Sequence, residues 1–276
     1  MADAGPGGKC LNYILFSIIV TMKTPAPLLV MGILLLLVFL PGCTGPDQGS
    51  PGNTTPGDLS FSGHAWQVKT STTPVGPGPN LFSANTSNVR VDDQGYLHMR
   101  ITKEGDHWEC AEVISRENFG YGEYAFTLGS DPESLDRESV LGLFTWADRP
   151  EYAHREIDIE LSRWEDPANM DAQYVLQPWN SRDHIHRFTA NAAGNVTTHS
   201  FRWEEGHLAF QSYFGPYTEM PAPETVIESW EYAGSDVPRP GPENARINFW
   251  LDNGKPLSYG NESEVVIRQF RFVPER

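Results

Sequence analysis

The chain has 276 residues, 39% hydrophobic, 12% aromatic and 20% charged, with 22 Pro and 25 Gly, which is enough apolar material for a packed core and too much for a disordered tail. Lys and Arg total 20 against 36 for Asp and Glu, a formal net charge of -16. A field of that sign repels phosphate backbones and anionic headgroups, so it argues against nucleic acid and polyanionic substrates, local basic pockets aside, and leaves neutral partners open.

The charge is unevenly spread. Residues 1–43 hold only Lys9, Lys23 and Asp3 as charges and carry two apolar runs, LNYILFSIIVTM and LLVMGILLLLVFL. The second, Leu28 to Leu40, has 13 apolar or small residues, whereas a membrane-spanning helix needs about 20. It fits the apolar core of an export signal, with Met22 and Lys23 ahead of it and Leu40-Pro41-Gly42-Cys43 behind it as a small-residue cleavage site. LPGC resembles the lipobox of prokaryotic lipoproteins. The resemblance implies that Cys43 is the lipidated mature N-terminus, with translation starting at Met1 or Met22. An uncleaved anchor made of both runs is the alternative; in either case the domain is tethered outside, at the cell surface. Residues 44–58 (TGPDQGSPGNTTPGD) read as a flexible spacer, and residues 59–276 as the folded domain. Only Cys110 lies inside that domain, so no internal disulfide is expected despite an exported setting. Asn53, Asn85, Asn195 and Asn261 each open an N-x-S/T sequon.

From Val89 onward the chain breaks into short alternating segments separated by Gly, Pro, Asn and Asp clusters. In chain order the expected strands are YLHMRIT, WECAEVISR, GEYAFTL, VLGLFTW, REIDIELSRW, QYVLQP, TTHSFRW, HLAFQSYF, ARINFWL and EVVIRQFRF. No sustained helical period and no internal repeat occur. That many strands in about 215 residues predict an all-β fold of two packed antiparallel sheets.

The fifth strand is the most informative. In His154-Arg155-Glu156-Ile157-Asp158-Ile159-Glu160-Leu161, alternation puts Glu156, Asp158 and Glu160 on one face and sends Ile157, Ile159 and Leu161 into the core. Three aligned carboxylates disfavour simultaneous ionisation and push at least one pKa upward, as a general acid working near neutrality requires. A solvated strand face is the plain alternative. Retaining glycoside cleavage uses two carboxyls about 5 to 5.5 Å apart. Glu156 and Glu160 would have Cα atoms about 13 Å apart, so they must lean together over Asp158 on a concave face. A convex face would exclude the mechanism.

EIDIE is similar to the ExDxE signature of glycoside hydrolase family 16, the clan of laminarinases, lichenases, agarases and carrageenases. GPGPNLF, AEVIS, FGYGEY, LFTW, HSFRW and INFWL follow the family's order and approximate spacing over nearly the whole domain. The resemblance implies a concanavalin-like β-jelly-roll with a cleft across its concave sheet. Glu156 would be the nucleophile, Asp158 its helper and Glu160 the acid/base, with Glu112 and Asn80 touching sugar. No cofactor is required for that chemistry, and a structural calcium stays open. Departures bear on the substrate: His154 stands where many β-glucanases of the family have Trp, and Ile114 where they have Arg.

Aromatic faces cover sugar rings while amides and carboxylates take hydroxyls. On that basis Tyr121, Trp146, His154, Trp164, Gln173, Gln177 and Trp179 are the candidate subsite residues. His184, His186 and His199 raise a metal site without the spacing such a site needs, and none is assigned. The expected substrate is a β-linked polysaccharide, a β-glucan or galactan. Transglycosylation would use the same carboxylates, and a non-catalytic carbohydrate-binding surface protein is the rival reading.

Overall fold

The computed structural model describes residues 57–190, 192 and 196–275. Both apolar runs, Cys43, most of the spacer and the sequons at Asn53 and Asn195 lie outside the described residues. No described helix is long and apolar enough to cross a membrane.

The described residues form strands β1 (Asp58–Phe61), β2 (His64–Val68), β3 (Leu81–Phe82), β4 (Val89–Val91), β5 (Leu97–Glu104), β6 (His107–Ser115), β7 (Gly122–Leu128) and β8 (Ser139–Trp146). They continue with β9 (Ile157–Leu161), β10 (Ala172–Leu176), β11 (Ile185–Phe188), β12 (Thr197–Glu204), β13 (His207–Phe214), β14 (Val226–Ala233), β15 (Asn244–Leu251) and β16 (Ser263–Pro274). One sheet runs β1-β2-β6-β15-β8-β9-β10-β11 and the other runs β5-β16-β7-β12-β13-β14, with β4 on the free side of β5. The β5–β6 hairpin joins them: the start of β5 pairs with β16, and its end, Thr102 to Glu104, pairs with Glu109 to His107 of β6. All pairs are antiparallel except β3 with β6.

The two sheets pack through the apolar half of each alternating strand. Leu97, Met99 and Ile101 of β5 are fully buried while His98 and Arg100 between them are not. Across the sandwich, Tyr174 of β10 stacks on Phe210 of β13 at 5.0 Å, and its hydroxyl donates to Ser212 Oγ at 2.7 Å. Trp66 of β2 meets Phe270 of β16 edge-on at 5.1 Å. Trp203 is buried and donates its indole N–H to Pro238 O, so its one polar atom is satisfied. Each such side chain contributes about 1.5 to 3 kcal/mol by burial, and Cys110 is a free, buried thiol.

All ten expected strands are present. Those around EIDIE and QYVLQP are shorter than expected, for local reasons. Tyr152, Ala153, His154 and Arg155 all have positive φ, from 48° to 62°. This left-handed turn cannot continue a strand, so β9 starts after Glu156. The second strand ends before Pro178, which has no N–H to give a ladder. The strands not foreseen are β1 to β4, β11 and β14. The last lies at the sheet margin with Ser229, Glu231 and Ala233 exposed.

Candidate active site

β9 places the carboxylates. Ile157, Ile159 and Leu161 enter the sandwich core with no exposure, which obliges Glu156, Asp158 and Glu160 to face the other way. They line a cavity of about 460 Å³ on that face, together with Glu112, Trp146 and Arg246 among others. Antiparallel register arranges its floor in rows. Gln173, Glu160, Gly142, Asn248 and Glu112 lie side by side on β10, β9, β8, β15 and β6, and Val175, Asp158, Phe144, Arg246 and Ile114 form the next row. Gly142 is the floor beside Glu160. Its N–H donates to Asn248 Oδ1, and a Cβ there would lie 2.4 Å from that oxygen, so any side chain at this position must push the Asn248 amide aside.

Two amides brace the acids. Gln173 Nε2 donates to Glu160 Oε2 at 2.7 Å and Gln177 Nε2 to Asp158 Oδ2 at 3.3 Å. Burial dominates the electrostatics, because a carboxylate removed from water is disfavoured as an anion. It pushes Glu156 up to about 8, aided by the charge of Glu160 and opposed by Arg246 and a hydrogen bond with Asp158. Burial and both flanking glutamates hold Asp158 well above the usual carboxylate range. Glu160 is pushed up to about 7 by burial, against the hydrogen bond from Gln173 and the charge of Arg187. The three therefore titrate as a set that keeps protons near neutrality. The neighbouring Asp158 lowers Glu156 while Glu156 raises Asp158, and Arg246 also lowers Glu156, so both oppose the burial that favours its neutral form. With Glu156 at about 8 and Glu160 at about 7, the site holds a proton on Glu156 at least as readily as on Glu160, and Arg246 is the charge that works against it.

No protein-family model matches the sequence, and no curated protein matches it. Solved structures do. A Bacillus licheniformis β-glucanase superposes with a TM-score of 0.56 at 18% identity, over 82% of this chain and 95% of its own. A β-1,3-1,4-glucanase (lichenase) from a mouse hindgut metagenome gives 0.55 at 19%, over 76% and 93%. A Mycobacterium tuberculosis protein described as an immunostimulatory antigen and pseudo β-1,3-glucanase gives 0.55 at 17%, over 76% and 91%. The fold is that of the jelly-roll β-glucanases. It bears out the expected all-β, concanavalin-like sandwich.

Within this jelly-roll the predicted residues fall into three groups. Glu156, Asp158, Glu160, Glu112 and Trp146 line the cavity. Glu112 is buried and paired with Lys69 Nζ at 2.6 Å and Arg246 Nη1 at 3.3 Å. Gln173 and Gln177 share the carboxylate face as parity required, yet their N–H groups are spent on Glu160 and Asp158, and their oxygens accept from Arg187 Nε and the Trp179 N–H. They act on the acids and do not line the cavity.

The remaining assigned residues lie outside the cavity lining. Asn80 is buried away from the cavity, donating to Pro77 O and Leu251 O and accepting from Cys110 Sγ; it ties the loop before β3 to β15. His154 lies flat on Trp146, with ring centroids 4.1 Å apart, and donates through Nδ1 to Ala147 O, so it backs the indole without reaching the cavity. Trp164 packs edge-on against Trp250, which does line it. Tyr121 packs on Trp203 beside the other sheet, and Trp179 is 60% exposed outside the cavity. Among the described residues no His, Cys, Asp and Glu group is arranged to hold a metal. His199 is instead buried between Thr197 Oγ1 and Ser212 Oγ, where burial pushes it down to about 3. Sequence reasoning missed Arg246, Lys69, Gly142 and Asn248. The parity of ARINFWL carries a signal for two of them, since Arg246, Asn248 and Trp250 share a face. Arg246 also pairs across strands with Ile114, so a cation is supplied from β15 at the row where the resemblance led one to expect it on β6.

Proposed function

We propose that this protein is an endo-acting glycoside hydrolase that cleaves a neutral β-linked polysaccharide, a β-glucan first, by a retaining double displacement. The observation that carries the reading is the row of Glu156, Asp158 and Glu160 along one cavity, with Gln177 donating to Asp158 and Gln173 donating to Glu160. The resemblance of EIDIE assigns the roles. Glu156 attacks the anomeric carbon while Glu160 gives its proton to the departing oxygen, and Glu160 then takes a proton from the water that releases the sugar. Arg246 and Asp158 oppose the rise at Glu156 and so favour the anion that attack requires. The glucanase folds that superpose on this one support the reading, as does a cavity rich in carboxylates, which suits an uncharged sugar. We further propose that the lipobox-like LPGC tethers the enzyme at the cell surface through Cys43, where a polymer too large to enter the cell is met.

The test is a screen of the full chain on laminarin, mixed-linkage glucan, agarose and carrageenan, with the anomer of the first product read by NMR. Glu156→Gln should abolish turnover and leave binding and fold intact, since the swap is nearly isosteric. Turnover retained in that variant refutes the assignment. Binding without turnover in the native chain favours a carbohydrate-binding surface protein.

A further inference from the structure

Glu160 is half-buried at the cavity wall, in a hydrogen-bonded setting that continues past the cavity to the sheet margin. Antiparallel register aligns Glu160 of β9 with Gln173 of β10 and Gln173 with Arg187 of β11. The three side chains form one chain across the strands. Arg187 Nε donates to Gln173 Oε1 at 3.1 Å, and Gln173 Nε2 donates to Glu160 Oε2 at 2.7 Å. Guanidinium has donors only, so the amide oxygen must face Arg187 and the amide NH2 must face Glu160. A carboxyl oxygen already accepting an N–H is the poorer site for a proton, which leaves Oε1 as the protonated oxygen of Glu160.

We propose that Arg187 is a positioning residue for Glu160: it holds the Gln173 amide in one orientation and thereby commits the acid's proton to Oε1. The inference rests on the glycosidase reading for its consequence, though its structural content concerns Glu160 alone. In the first step the proton passes from Glu160 Oε1 to the glycosidic oxygen, and the C–O bond breaks with its electron pair going to that oxygen. The Glu156 carboxylate then holds the anomeric carbon. In the second step water adds its oxygen to that carbon, the bond to Glu156 breaks, and the water proton returns to Glu160. Without Arg187 the amide is free to turn and present its own oxygen to Glu160. That favours a protonated Glu160 with the proton on Oε2, the wrong oxygen.

The charged and titratable groups facing Glu160 are Glu156 just before β9, Asp158 on it, Asp252 just beyond β15, and Arg187 on β11. Arg187 is the cation of this set and is exposed, so its substitution leaves the core untouched. The experiment compares Arg187→Met and Arg187→Lys in the full chain by the pH dependence of kcat and KM on the hydrolysed glucan, and by 13C NMR titration of the Glu160 carboxyl. Arg187→Met should lower kcat about tenfold, a fraction of what a positioned acid contributes, with KM unchanged. It should move the alkaline limb of kcat/KM and the Glu160 midpoint upward. Arg187→Lys should restore both. An unmoved Glu160 midpoint with unchanged kcat overturns the proposal and leaves the glycosidase reading standing. A native chain that cleaves no polysaccharide, with the midpoint still shifted by Arg187→Met, overturns the glycosidase reading and supports the relay.

Discussion

Arg246 joins the stability of the cavity to its chemistry, and replacing it by Met separates the two. Arg246 is 8% exposed, and its guanidinium donates to Glu112 Oε1 and to Asp148 Oδ1 at 3.1 Å. The Asp148 side chain is 90% exposed, so that contact adds little. Glu112 is 1% exposed, and breaking a buried ion pair costs about 3 to 5 kcal/mol when a charge is stranded. Here Lys69 remains on the other oxygen, so the expected loss is lower, about 2 kcal/mol, read as a fall in urea midpoint at unchanged slope. Arg246→Met together with Glu112→Gln also deprives Lys69 of its carboxylate, so the double variant should be no more stable than Arg246→Met alone. The second readout is catalytic. Arg246 opposes the rise at Glu156, so its removal raises Glu156 further. A nucleophile must be unprotonated, and activity is lost as pH falls through its pKa, so the acid limb of kcat/KM should move to higher pH. A variant as stable as the native protein, with an unmoved acid limb, would refute this account of the cavity.

Gly142→Ala should cost about 1 to 3 kcal/mol and cut turnover, because the new methyl must displace Asn248 Oδ1 and intrudes beside Glu160; thermal melting and product release check both. His199 is neutral in the fold at about 3 and takes up a proton near 6.5 when unfolded. Stability should therefore fall as pH drops from 6.5 towards 3, by at most about 1.4 kcal/mol per unit, and His199→Gln should flatten that slope in urea melts. Asp158 behaves oppositely, since its folded pKa is raised. The stability it contributes is complete below about pH 4 and declines as pH rises towards its folded value. Asp158→Asn should thus be progressively more stable than the native protein above pH 4 while losing turnover, and equal stability at pH 8 would contradict the linkage.

Period-two alternation exposed the sandwich and the carboxylate row, because each inward Ile of β9 forces its acidic neighbour outward. The same logic was silent where the backbone leaves the strand. Four consecutive positive φ values at Tyr152 to Arg155 involve no glycine, and a residue type that does not favour a left-handed turn gives no sign of one. Parity placed Gln173 and Gln177 correctly by face but not by role, since whether an amide meets a sugar or a carboxylate depends on the strand beside it. Asn80 shows the same limit: only the packed structure reveals that Leu251 O and Cys110 Sγ consume its side chain. Arg246 was hidden among apolar residues whose face is known only once β15 is seated between β6 and β8.

The site is built at a cost to the fold. Three carboxyls that water would ionise freely are held in a wall of apolar and paired groups, and each loses stability to the protein as pH rises past its ordinary range. Their positions are nevertheless rigid, because every second residue of β9 is locked in the core and the strand is laddered on both sides, by β8 and β10. A loop could carry the same acids with less desolvation, but it could not keep Gln177 donating to Asp158 while Gln173 donates to Glu160. Holding protons on chosen oxygens requires a framework that does not relax when charge moves, and a buried central strand supplies it. The amides and Arg246 then adjust which acid holds its proton, so proton placement is decided by neighbours on β10, β11 and β15.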